Sequence, residues 1–151
     1  QDPEAIANWP LTLSRDGART PLPWSVDAAE AGFTDGEPWL PLGAENVARA
    51  VAAQEGDPAS LLHFTRAMIA LRKANPALRH GRLEIMRADD QCLAFRRVAE
   101  DQALTCIFNL SATPAPWPDE VEECGAIIAA IGDAAPGMAL PPYAALLLAQ
   151  D

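Results

Sequence analysis

Apolar residues keep helical time over only one long window of the chain. Leu61, Phe64, Met68 and Leu71 recur at spacings of three and four, with Leu62, Ile69 and Lys73 on flanking positions. Asp57 supplies an N-cap carboxylate and Pro58 a first helical residue, while Arg72 and Lys73 suit the dipole of the last turn. Pro76 after Asn75 prevents continuation. The pattern predicts a helix within 57–80 whose stripe is a packing face, because nothing polar converges on it. After Gly81 the period changes. Runs at Leu83–Arg87, Cys92–Val98 and Ala103–Leu110 alternate or cluster apolar residues between the turn-like ADDQ and AEDQ. Weaker runs lie at Glu123–Ile131, Met138–Leu140 and Tyr143–Ala149, and the prolines at 114, 116, 118, 136, 141 and 142 confine them to edges or ends. The segment 81–151 therefore predicts a small antiparallel β-sandwich domain.

Residues 1–56 show little sustained periodicity beyond a short helix expected over Asn46–Gln54. So long a connection is functional or disordered, and Trp9, Trp24, Phe33 and Trp39 argue for a loop tied down on something. Within it, SRDGARTPLPW over Ser14–Trp24 suits neither a helix nor a central strand. Gly17 permits a positive φ, and Pro21 and Pro23 stiffen the backbone. A loop ordered in advance binds a ligand at lower entropic cost. From composition alone two readings stand: a ligand-facing loop, or a surface turn in which Arg15 or Arg19 pairs with Asp16.

Charge narrows the partners. The 151-residue chain is 50% hydrophobic with a net charge of -10, which argues against nucleic acid and anionic membrane surfaces and leaves neutral ligands open. No apolar run reaches the length of a membrane span. The opening QDPEAIANWP has no initiator Met and no signal-peptide pattern, so a fragment or processed chain is expected. Cys92, Cys106 and Cys124 lack metal-site spacing and are expected as buried reduced thiols, which favours the cytoplasm. His63 and His80 have no ligand partner at useful spacing, so neither metal nor cofactor is expected. Asn109-Leu110-Ser111 fits a glycosylation acceptor, read as coincidence because it follows an apolar strand.

The blocks RDGARTPLPW, AGFTDGEPWLPL and DPASLLHFTRAMIALRKANPALRHG resemble, in order and spacing, the C-terminal part of bacterial α-glucosidases of the oligo-1,6-glucosidase type, in the α-amylase superfamily. The likeness is specific over residues 1–82 and continues in outline to LPPYAALLL. It implies an α+β fragment: 1–56 as the loop before the last helix of a (β/α)8 barrel, 57–80 as that helix, and 81–151 as a C-terminal β-domain. A loop directly before the last helix is also in order to be the eighth strand-to-helix loop, on the face where such barrels hold their active sites.

Retaining glycoside hydrolysis needs two carboxyl groups about 5–5.5 Å apart. Asp16 is the one acid in a strongly patterned motif, Asp27, Glu30, Asp35 and Glu37 have no partner at fixed spacing, and Asp119, Glu120, Glu122 and Glu123 form a charge run. No catalytic pair is proposed, and the resemblance implies that the acids precede this sequence, on a missing N-terminal barrel portion. It also implies that Arg15 contacts the glucose at the nonreducing end of an α-glucoside, with Asp16 as its orienting partner or a loop clamp and Arg19 structural. Trp24 and Trp39 are candidates for stacking on sugar or for burial under the loop. The expectation is an exo-acting, retaining α-glucosidase, hydrolytic or transglycosylating, of which this chain alone is inactive. A relative of trehalose synthase or sucrose isomerase, or a noncatalytic carbohydrate-binding or subunit-interaction module, are the alternatives.

Overall fold

The computed structural model describes residues 2–11, 14–122 and 125–150. The chain divides into two compact units, one ending at Met68 and the other beginning at Ile69. In the first, helix α1 (Pro3–Ala7) starts on Asp2, whose side chain accepts the Glu4 N–H at 3.1 Å, and has a proline in its first turn. Short 3-10 turns follow at Asp16–Ala18 and Ala29–Gly32. The expected helix over 46–54 is two helices, α2 (Ala44–Ala48) and α3 (Val51–Glu55), parted by Ala50 in an extended conformation. The break has a use. The N–H groups of Val51 and Ala52, orphans at a helix start, donate at 3.0 Å to the carbonyls of Pro23 and Trp24 and so pin the proline-rich loop.

Within this unit the loop is held chiefly by small and proline side chains, its large aromatics staying about half exposed. Trp24 is 51% and Trp39 54% exposed, whereas Ala31, Leu40, Ala50, Pro21 and Pro23 are buried. Small side chains let backbones approach: Ala31 and its neighbours Glu30 and Gly32 all take positive φ, and the Ala31 carbonyl turns back to accept from Trp24 and Ser25 at 2.8 and 3.0 Å. Left-handed conformations at Glu30 and Ala31 cost about 1–2 kcal/mol each and persist because that carbonyl is held.

Helix α4 (Leu61–Ala74) carries the predicted stripe but starts later than Asp57. Asp57 Oδ1 accepts the Ala59 N–H at 2.9 Å in a local turn, and Ser60 becomes the cap, with Oγ on the His63 N–H at 3.3 Å. The stripe lies largely at the surface, with Leu61 71% exposed and Phe64 and Ile69 also exposed. Pro76 ends α4 and opens a further helix, α5 (Pro76–His80), so 57–80 holds two helices rather than one.

The second unit is a five-stranded antiparallel sheet, formed by β1 (Arg82–Ala88), β2 (Cys92–Val98), β3 (Ala103–Asn109), β4 (Ile127–Ile131) and β5 (Ala145–Gln150) in the order β1-β2-β3-β5-β4. Met138–Leu140 is not a strand; only Leu140 pairs, in an isolated bridge to Ala115, because the flanking prolines cannot donate to a ladder. Glu123 and Cys124 lie outside the described residues. Alternation divides the core between the sheet's faces. Ala94, Ile107, Leu146 and Leu148 pack on one, while Leu104, Cys106 and Leu147 meet Ala77 and Leu71 on the other. Each fully buried leucine such as Leu104 contributes about 1.5–3 kcal/mol relative to exposure. Cys92 and Cys106 are free and fall in different clusters.

A side-chain latch joins α5 to the β2–β3 turn. Gln102 accepts the Ala77 N–H at 3.0 Å and donates to Asn75 Oδ1 at 2.8 Å, and Asn75 donates to the Leu71 carbonyl at 2.7 Å.

Candidate functional site

The loop that carries the two predicted site residues is organised by Asp2. Ser14 Oγ accepts the Asp16 N–H at 3.0 Å, and the 3-10 turn closes through Ala18 N–H to the Arg15 carbonyl at 3.0 Å and Arg19 N–H to the Asp16 carbonyl at 2.9 Å. This tight turn sends the Arg15 side chain back to α1. There the Asp2 carboxylate accepts Arg15 Nε at 2.9 Å, Arg15 Nη2 at 3.1 Å and the Arg15 backbone N–H at 2.9 Å, besides its cap to Glu4. The ion pair that sequence reasoning offered was Arg15 or Arg19 with Asp16. The partner of Arg15 is Asp2, thirteen positions away, while the Asp16 carboxylate takes the Asp2 backbone N–H instead.

Asp16 stands beside the pair rather than in it, its Oδ2 accepting the Asp2 N–H at 3.0 Å. The Arg15 guanidinium and backbone amide hold the Asp2 carboxyl well below the usual carboxylate range, outweighing the opposing effect of burial. Asp2 in turn raises the Arg15 pKa, keeping the guanidinium charged. Exposure is one-sided: the Asp2 side chain is 0% exposed and that of Arg15 59%. Two of the five guanidinium N–H groups go to Asp2, and Nη1 has no partner among the described residues. Such an edge can donate to a hydroxyl or carboxylate; it has no acceptor or labile proton at neutral pH, so it binds and orients rather than transferring protons.

Asp2 was missed as a site residue. The signal available was local only: an aspartate before proline marks a helix start, which says nothing of an arginine thirteen positions on. Arg19 follows the turn and is exposed. His63, on α4, reaches α3, its Nε2 lying 3.1 Å from the Glu55 carbonyl. Asn109 is buried with its amide fully engaged, so the acceptor pattern there is structural. Among the described residues no three His, Cys, Asp or Glu side chains gather as around a metal ion. No described helix is long and apolar enough to cross a membrane.

The model of the alpha amylase catalytic domain matches residues 1–81, more than half of the chain. The chain belongs to the alpha-amylase family. Among curated relatives, a probable alpha-glucosidase of Rhizobium meliloti is 45% identical over 111 residues, covering 74% of this chain and 20% of its own length. Among solved structures, an alpha-glucosyl transfer enzyme superimposes with a TM-score of 0.82 at 37% identity, over 100% of this chain and 29% of that one. The trehalulose synthase of Pseudomonas mesoacidophila MX-45 gives 0.79 at 30% identity, over 97% and 27%. The chain spans about a fifth of the length of the curated relatives it matches. Its fold class is the α+β one the sequence implied, helices over the stretch that matches the catalytic domain and then a small antiparallel β-domain, whose described strands form one five-stranded sheet where a two-sheet sandwich was expected.

Proposed function

We propose that this chain is the C-terminal part of a retaining, exo-acting α-glucosidase, hydrolytic or transglycosylating, in which the Ser14–Trp24 loop presents Arg15 to the glucosyl unit of an α-glucoside. The observation that carries this reading is the 45% identity to a probable alpha-glucosidase across three quarters of the chain. Residues 1–56 are the loop before the last barrel helix, 57–80 contain that helix, and 81–151 are the trailing β-domain. The exposed stripe of α4 supports this, since a barrel helix buries such a face on barrel strands. Arg15 donates from its outward edge to sugar hydroxyls, and Asp16 shares the site by fixing the turn beneath it. The nucleophile and acid/base carboxylates belong to an N-terminal barrel portion outside these residues, and free, buried Cys92 and Cys106 suit a cytoplasmic enzyme.

Arg15→Ala in the full-length enzyme is expected to lower kcat/KM for a p-nitrophenyl α-glucoside by ten- to a thousandfold, on the order expected for a lost charged hydrogen bond and its neighbours. Near-normal turnover would remove Arg15 from the site. Hydrolysis by these 151 residues alone would overturn the assignment of the carboxylates.

A further inference from the structure

We propose that Asp2 is the positioning residue of the site: it holds Arg15 by Nε and Nη2 so that the Nη1 edge is the face offered to the sugar. This rests on the reading of Arg15 as a glucoside ligand and adds to it the group that aims it. The Asp2 carboxylate takes four hydrogen bonds, three of them from Arg15 and one from the Glu4 N–H, which fills its lone-pair directions. A carboxylate so saturated has nothing left for a ligand. Its service is to another side chain.

The geometry is specific to aiming. Two parallel N–H···O contacts fix the plane of the guanidinium as well as its place, which a single contact would leave free to rotate. The third bond, to the Arg15 backbone N–H, ties the same carboxylate to the start of the 3-10 turn, so Cα and guanidinium are referenced to one point. Asp2 is itself held, as the cap of α1 and through its own N–H to Asp16 Oδ2. An arginine left in water samples many rotamers and surrenders them on binding, whereas Arg15 has surrendered them already. The ion pair is also neutral as a unit, which suits an uncharged sugar hydroxyl.

The test is a double-mutant cycle in the full-length enzyme: wild type, Asp2→Asn, Arg15→Ala and the double variant, assayed for kcat/KM on a p-nitrophenyl α-glucoside alongside thermal midpoints. Asparagine keeps an oxygen for the Glu4 N–H but loses the charged fork. Asp2→Asn is expected to lower kcat/KM on the order of tenfold, and the double variant to be no worse than Arg15→Ala. Should Asp2→Asn fail to fold, Asp2→Glu replaces it, keeping the charge but displacing the guanidinium, with the same loss expected. Wild-type activity for the Asp2 variant beside an impaired Arg15→Ala overturns the positioning role and leaves the Arg15 reading standing. An equal further loss in the Arg15→Ala background also overturns it, since Asp2 would then act through the fold. Normal activity of Arg15→Ala sinks the underlying reading and this inference together.

Discussion

Asn109 gives the sharpest test of how the β-domain is held. Its Nδ2 donates to the carbonyls of Thr113, Leu140 and Pro141 at 2.8, 3.1 and 2.8 Å, and its Oδ1 accepts the Ser111 N–H and hydroxyl at 2.9 and 2.8 Å. The residue is 1% exposed, so water does not share these bonds. Asn109→Ala removes all of them, yet each carbonyl has another donor: Ala115 N–H for Leu140, Ala144 N–H for Pro141, and, for Thr113, the Ser111 hydroxyl that Asn109 Oδ1 releases. The loss is therefore several net hydrogen bonds of about 0.5–1.5 kcal/mol each rather than full desolvation of three carbonyls, or about 2–4 kcal/mol in all. Asn109→Asp is nearly isosteric but turns the donor into an anionic acceptor facing three carbonyl oxygens, and is expected to cost more than the alanine. Burial raises the pKa of that introduced carboxyl in the folded state. Stability of the Asp variant is therefore full only where the acid is protonated in both states, and it falls as pH rises. The assay is urea unfolding of both variants at neutral and acid pH. The aspartate should be the less stable at pH 7, with the gap closing on acidification. Equal stability at pH 7, or alanine the worse, would refute the account of the amide as a donor whose two N–H groups are shared among three carbonyls.

Two further outcomes follow from the packing. Gly81→Ala places a Cβ 2.4 Å from the Ala77 carbonyl oxygen, which already accepts the Gly81 N–H at 3.0 Å. The substitution should cost about 1–3 kcal/mol in thermal or urea unfolding, and a neutral result would show that α5 can shift freely. Burial pushes the Cys106 thiol up to about 11. Its thiolate fraction at pH 8 should then be about a hundredfold below that of an ordinary thiol, and DTNB should label it only after unfolding. Labelling at the rate of a free thiol in native buffer would contradict the burial.

What the sequence showed and hid follows a physical line. The α4 stripe and the runs that became β1 to β3 were legible because periodicity records which face each residue turns to the core, and β2 emerged at Cys92–Val98, the bounds its alternation predicts. The start of α4 was misplaced because Asp57 has two local uses for its carboxylate, and the turn to Ala59 won over the cap. The break between α2 and α3 was invisible because its cause is the loop at Pro23 and Trp24, far back in the chain. The candidate site divides likewise. Arg15 was nominated by the resemblance of its motif, while its partner Asp2 was not, since an ion pair across thirteen residues leaves no trace in spacing. Asn109 was seen only as part of a modification pattern, though its work is to gather three carbonyls.

The central claim is that the outward edge of Arg15 grips a glucosyl unit, and a crystal structure of the full-length enzyme with a bound, uncleaved α-glucoside tests it most directly. The account predicts Arg15 Nη1 within about 3.2 Å of a sugar hydroxyl with the Nε and Nη2 contacts to Asp2 intact. A sugar bound with no contact to the Arg15 guanidinium would contradict it.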